Sequence, residues 1–293
     1  MDKAMKMIRR HCLFTMFSAA VVVICVCIGV TMNLTTIYDE NFDHMGLRTF
    51  CMFTVNSNIL CAAAMAMVIP YTLDGLRTHN YHMPRWIVNL VYMGVTAVAL
   101  TFLISLFILS PVKGFLLIFT GSRFFLHGLC PILAIIVFCF VLKDTHLSFA
   151  STFLSLIPVF IYACIYFMMV EVVGQWPDFY GFLTRIPAWI SLAGFLPITF
   201  AIATLLRILH NKACKRYRAQ ARKHYLDAFE AEDTRGMIIH MAARNSKKDT
   251  TGNIVIPYQV LRMLLSGGES EENFEEYCIL YMKECLKHEL YQE

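Results

Sequence analysis

The amino-acid sequence predicts an all-α polytopic membrane protein with six transmembrane helices and a small helical tail. Hydrophobic residues make up 58% of the 293-residue chain and charged residues only 16%, a balance well outside that of soluble globular proteins. The apolar residues gather in stretches close to the roughly 20 residues that a helix needs to cross a bilayer. These stretches cover residues 12–33, 49–71, 86–110, 121–142, 149–172 and 187–209. We therefore expect a six-span domain over residues 1–210 and a tail over residues 211–293.

The first stretch is interpreted as a retained transmembrane helix. Four basic residues precede it, as in a secretory signal, and these are Lys3, Lys6, Arg9 and Arg10. However, the apolar run continues to Asn33 without a convincing A-x-A cleavage site, and its length is that of a membrane span.

The second stretch opens with the unusually polar segment Phe53–Asn58, which reads FTVNSN. Polar side chains are costly in hydrocarbon and commonly hydrogen-bond across helices or face a cavity. Thr54 and Asn58 are four residues apart and therefore share a helix face. This segment is a candidate functional site.

The fourth stretch carries the clearest ionisable side chain of the predicted membrane region. His127 follows Arg123 by four residues on the same helical face and precedes Pro131. Glu171, at the end of the fifth stretch, is a further candidate by its depth alone. Because spans two and four enter the membrane from the same side, Thr54 and His127 are both expected about 8 Å below the boundary, at 1.5 Å per residue.

A hydroxyl and an imidazole at one depth form a candidate nucleophile and general base. Asn56 and Asn58 are candidate oxyanion donors, and Asn58 is preferred because it shares the Thr54 face. The alternative is purely structural. A membrane histidine is often a hydrogen-bonding group of the core, and Thr or Asn near a helix start often serves as a cap or joins helices.

The distribution of basic residues predicts that both chain ends are cytoplasmic in a multi-pass protein of the cell membrane. With the N-terminus inside, the segments on that side hold 14 Lys and Arg residues and those outside hold four. A membrane-impermeant reagent should then reach an Asp43→Cys variant from outside only.

The tail is predicted to be helical, beginning with a basic juxtamembrane segment at residues 212–245. Gly252, Pro257 and the pair Gly267-Gly268 interrupt it, and residues 269–290 follow as an acidic amphipathic helix. Such a module serves either to stabilise the protein or to dock a partner or a second copy.

Several function classes are disfavoured by the sequence. The formal charge of +4 arises from basic residues near span ends and after residue 206, which favours membrane orientation and not nucleic-acid binding. Neither a metal-ligand pattern nor a nucleotide-binding loop occurs, so no metal or cofactor is predicted. The 11 cysteines show no CxxC pair and are interpreted as small apolar residues.

The order of the polar motifs resembles that of a known six-span family. Phe53–Asn58, His127 with Pro131, the span-five residues Pro158, Tyr162 and Tyr166, and the segment Trp176–Tyr180 (WPDFY) occur in this order. They resemble the family of the androgen-induced protein and the androgen-dependent TFPI-regulating protein, with its bacterial relatives, over about residues 10 to 210. The resemblance implies an intramembrane threonine hydrolase of fatty acid esters of hydroxy fatty acids, with Thr54 as nucleophile and His127 as base. Its hydrophobic ester substrate would enter laterally from the membrane lipid.

Two other functions stay open at the level of sequence. In the first, a non-catalytic transporter or small-ligand receptor binds an anionic or amphipathic solute in a polar pocket. That pocket would be built from Thr54, Asn56, Asn58, Arg123, His127 and Glu171. In the second, the spans serve only as a membrane anchor, and the tail carries the function.

Overall fold

The protein has six helices long and apolar enough to cross a membrane, as predicted. The computed structural model describes residues 3–35, 46–78, 83–143, 145–178, 180, 188–230, 247–248 and 254–255. Within these residues the candidate spans are span one (Arg9–Thr35), span two (Phe53–Arg77), span three (Arg85–Lys113), span four (Gly121–Val141), span five (Phe149–Val172) and span six (Gly194–Tyr217). The fold class is therefore confirmed as an all-α polytopic membrane protein.

The spans are built from α-helices interrupted by wider π-helical turns. The α-helices are Lys3–Thr35, Phe53–Thr78, Arg85–Ile104, Ser110–Lys113, Phe115–Ile118, Gly121–Arg123, Cys130–Ile136, Phe149–Leu154, Ile157–Phe167 and Ala188–Glu230, and a 3-10 helix covers Gly46–Cys51. The π-helical turns are Ser105–Leu109, Phe124–Leu129, Val137–Val141 and Met168–Val172. His127 therefore lies in a π-helical turn, an irregularity that often marks functional sites.

Contacts divide the chain into two compact units. One comprises Met1–Arg10, Asp74–Tyr81 and Arg218–Glu293, and the other comprises His11–Leu73 and His82–Tyr217. The predicted boundary at residue 210 falls inside the continuous helix Ala188–Glu230. Beyond this helix the described tail residues form one short antiparallel pair, Lys247–Lys248 with Ile254–Val255, around the predicted break at Gly252. The predicted acidic helix at residues 269–290 lies outside the described residues.

Span three packs closely against span two because a glycine lets their backbones approach. An added Cβ on Gly94 would stand 2.7 Å from the Cys61 Cα. Such close approach through small residues is the usual basis of helix association in a membrane, where lipid is as apolar as the side chains. Tyr92, on the same span, is fully buried and donates a 2.6 Å hydrogen bond to the Ala203 carbonyl of span six.

The end of the bundle where span six finishes is held by a buried histidine. Each ring nitrogen of His210 lies 2.9 Å from a backbone carbonyl oxygen, Nδ1 from that of Phe138 and Nε2 from that of Thr145. The ring also stacks on Phe138 at a centroid distance of 4.5 Å. His210 thereby joins span six to span four and to the segment that follows it.

We predict that Gly94→Ala destabilises the protein by roughly 1–3 kcal/mol, because the new methyl group meets backbone atoms that cannot move aside. Thermal unfolding of the purified protein in detergent measures this effect. Gly194→Ala is the matched control, since nothing lies within 4 Å of its added Cβ. Equal stability of the two variants would contradict the close contact between spans two and three.

Candidate functional site

Thr54 lies in the first turn of span two, at the end of the bundle opposite His210. Its helix begins at Phe53, directly after the 3-10 helix Gly46–Cys51. The Thr54 side chain is buried, with 9% of its surface exposed. The first N–H groups of a helix have no partner within the helix, so other groups must satisfy them.

A tyrosine supplies one of these partners. The Tyr180 hydroxyl oxygen accepts a 3.0 Å hydrogen bond from the Phe53 backbone N–H. The same phenol lies beside the Thr54 side chain and the Tyr162 hydroxyl. Its removal from water raises the pKa of Tyr180, so the phenol stays protonated at neutral pH and can donate a hydrogen bond.

Further tyrosine contacts surround the start of span two. The Tyr162 hydroxyl donates to the Cys51 carbonyl at 2.8 Å. The Tyr166 hydroxyl donates to Asp178 Oδ1 at 2.7 Å and lies 3.5 Å from the Tyr180 backbone nitrogen. The structure thus brings the span-five tyrosines and the WPDFY segment together around the residues that precede and include Thr54.

Asn58 connects Thr54 to span four. The Asn58 side chain is fully buried, and its Nδ2 donates to the Thr54 carbonyl at 2.7 Å and to the Leu126 carbonyl at 2.9 Å. Both amide hydrogens are therefore used, and the preferred oxyanion role of Asn58 stays a prediction that would require these bonds to break. The Ser57 hydroxyl also donates to the Thr54 carbonyl, at 3.0 Å, and lies 3.1 Å from the Thr101 hydroxyl of span three.

The π-helical turn explains why Leu126 needs this partner. In a π-helical turn each carbonyl pairs with the N–H five residues later, and the Cys130 N–H accordingly bonds the Phe125 carbonyl. The next carbonyl, that of Leu126, would pair with residue 131, which is a proline without an N–H. Asn58 of span two supplies the missing donor, so the FTVNSN and His127–Pro131 motifs are one structural unit.

His127 follows Leu126 directly, and its ring retains hydrogen-bonding capacity. Nδ1 is buried and has no hydrogen-bond partner among the described residues. The backbone carbonyl of Ile118 lies beside the ring. Within the described part of the chain no hydrogen bond joins His127 to Thr54, and the Thr54 side chain lies beside Tyr180.

The other predicted site residues are distributed around this unit. Arg123 Nη1 donates to the Leu117 carbonyl at 2.9 Å, so Arg123 and His127 both face the short helix Phe115–Ile118. Asn56 Nδ2 donates to the Phe50 carbonyl at 2.7 Å in an exposed position. Glu171 is exposed at the end of span five.

The sequence analysis missed the roles of Tyr180 and Asp178 at this site. Both residues belong to the WPDFY segment, which was recognised only as part of a resemblance. Their aromatic and acidic character between two spans was the available signal. However, Tyr180 contacts Phe53, which is far away in the sequence, and Asp178 contacts Tyr166 of span five. No group of His, Cys, Asp and Glu residues within the described ranges could hold a metal ion.

No protein-family model, curated protein or solved structure matches this chain. The geometry of its own residues therefore carries the functional argument.

We predict that Asn58→Ala lowers the free energy of unfolding by about 1–3 kcal/mol, because it leaves the buried Leu126 carbonyl without a donor. Chemical or thermal unfolding in detergent measures the loss. Asn56→Ala is the matched control and should cost little, since its hydrogen bond is exposed.

A double mutant tests whether Asn58 supplies the hydrogen bond to Leu126 that Pro131 cannot make. Pro131→Ala restores a backbone N–H five residues after Leu126, so Asn58→Ala should cost less in that background than in the wild type. Strictly additive losses would show that Asn58 does not replace the hydrogen bond that Pro131 cannot make.

Proposed function

We propose that this integral membrane protein hydrolyses lipid esters, with Thr54 as nucleophile and His127 as general base. The observation that carries the proposal is the pair of hydrogen bonds from Asn58 to the carbonyls of Thr54 and Leu126. They hold the backbone of the proposed nucleophile next to the residue that precedes the proposed base. The resemblance of the motifs to intramembrane threonine hydrolases points to the same two residues.

The surroundings of His127 suit a base. Nδ1 has no partner among the described residues, and we assign the contact with the Ile118 carbonyl to Nε2. A carbonyl oxygen accepts only from an N–H, so this contact favours the tautomer with its proton on Nε2. Nδ1 then offers a lone pair. A backbone carbonyl thereby takes the orienting role that an acidic residue has in many hydrolases.

The chemistry follows from these assignments. Nδ1 of His127 takes the proton of the Thr54 hydroxyl as Oγ1 attacks the ester carbonyl carbon. The tetrahedral intermediate collapses with cleavage of the bond to the alcohol oxygen, which receives the proton from His127. Water, deprotonated by the same nitrogen, then hydrolyses the acyl-threonine and frees the fatty acid.

The reacting groups must approach more closely than in the unliganded protein. Catalytic hydrogen bonds often tighten only when substrate is bound, and the ester would lie between the Thr54 hydroxyl and the imidazole. The protonated Tyr180 phenol lies beside Thr54 and is suited to donate to the developing oxyanion. Fatty acid esters of hydroxy fatty acids, drawn from the surrounding lipid, are the proposed substrate class.

We expect Thr54→Ala to abolish ester hydrolysis and Thr54→Ser to retain a measurable part, because serine keeps the hydroxyl. His127→Ala should lower kcat by about 10²–10⁴-fold, the usual contribution of a general base. The double mutant should be hardly worse than Thr54→Ala, since residues that act as a unit are not additive. Release of the free fatty acid from a hydroxy fatty acid ester measures these rates.

Thr72→Ala is the matched control on the same helix. Its hydroxyl donates to the Ile69 carbonyl of its own turn, at a distance along the helix of about 27 Å from Thr54 at 1.5 Å per residue. It should leave turnover unchanged. A wild type that binds the ester without turnover would favour the receptor or transporter alternative. Independent, multiplicative losses for Thr54→Ala and His127→Ala would contradict the pair.

A further inference from the structure

Span six contains an arginine whose charge has no ionic partner among the described residues. This residue is Arg207, which lies within Gly194–Tyr217. Its Nε is buried and makes no hydrogen bond to any residue that the structure describes. A guanidinium carries five donors and is always charged, so an unpaired one inside a span is costly unless something outside the protein pairs with it.

The position of Arg207 is fixed by an aromatic ring. Its Cζ lies 5.3 Å from the centre of the Phe149 ring, a cation–π contact. Phe149 is the first residue of span five. The guanidinium is therefore at the level where that span enters the membrane, which is the level of the lipid headgroups.

A hydroxyl on the same helix face as Arg207 also lacks a partner among the described residues. Thr204 Oγ1 is buried and unpaired among the described residues. Thr204 precedes Arg207 by three residues and shares its helix face. Thr152 of span five lies beside the Tyr92 phenol instead. The unpaired Thr204 hydroxyl and the Arg207 guanidinium thus lie on one face of span six, beside Phe149 of span five.

The surface next to these donors is apolar and open to lipid. Phe149 and Phe153 are 56% and 52% exposed. Phe153 lies 5.5 Å from Phe200 of span six, measured between ring centres. Aromatic rings at this depth can pack against acyl chains while the arginine faces the headgroup.

We propose that Arg207, with Thr204, binds the phosphate of a negatively charged phospholipid between spans five and six. The phosphate supplies the counter-charge and the acceptor oxygens that these side chains lack, and the phenylalanines contact its acyl chains. A lipid source fits better than a soluble anion because the donors lie inside a span beside exposed aromatic rings. This site is at the opposite end of the bundle from Thr54 and does not depend on the hydrolase proposal.

Thermal unfolding in detergent tests the site. Added dioleoylphosphatidylglycerol should raise the Tm of the wild type by a few degrees more than dioleoylphosphatidylcholine, because a ligand of the folded state stabilises it. Arg207→Gln should lose most of that difference. Arg216→Gln is the matched control: Arg216 is exposed on the same helix, and the variant removes the same charge but should keep the shift.

Thr204→Val separates binding from folding. Its hydroxyl has no partner among the described residues, so the Tm without lipid should be unchanged, whereas the phosphatidylglycerol shift should be smaller. An equal shift in Arg207→Gln and Arg216→Gln would overturn the proposal. A shift of the same size with inorganic phosphate alone would overturn the assignment to a lipid.

Discussion

The fold around the candidate site depends on one constraint, which is that a carbonyl in a lipid-embedded helix must find a donor within the protein. Pro131 cannot donate to the Leu126 carbonyl, and Asn58 of span two does so at 2.9 Å. The same amide bonds the Thr54 carbonyl at 2.7 Å. A local irregularity in span four therefore sets the register between spans two and four and brings the Thr54 backbone close to that of Leu126, beside His127.

The sequence predicts the six spans because their length and apolar composition are set by the bilayer itself. It also identifies Thr54, Asn58 and His127, since polar residues in such spans are few. It does not predict the hydrogen bond between Tyr180 and the Phe53 N–H, because the two residues are far apart in the chain and no helical periodicity relates their positions. Nor does it reveal the carbonyl of Ile118 beside His127, since a backbone group carries no sequence signature.

Unpaired polar groups occur at both ends of the bundle, and they differ in character. At the Thr54 end the His127 Nδ1 is buried and has no hydrogen-bond partner among the described residues, and the preceding Leu126 carbonyl is joined to span two by Asn58. At the other end Arg207 offers fixed positive charge beside exposed aromatic rings, which suits an anionic headgroup. His210, by contrast, has a carbonyl at each ring nitrogen and joins helices. The partners that surround each side chain, more than its residue type, distinguish these three groups.

Covalent labelling of the purified protein with a fluorophosphonate probe, followed by mapping of the modified peptide, tests most directly whether Thr54 is a nucleophile. The account predicts one adduct on Thr54 in the wild type and none in Thr54→Ala, with strongly reduced labelling in His127→Ala. Absence of an adduct from folded wild-type protein, or labelling that persists unchanged in Thr54→Ala, would contradict it.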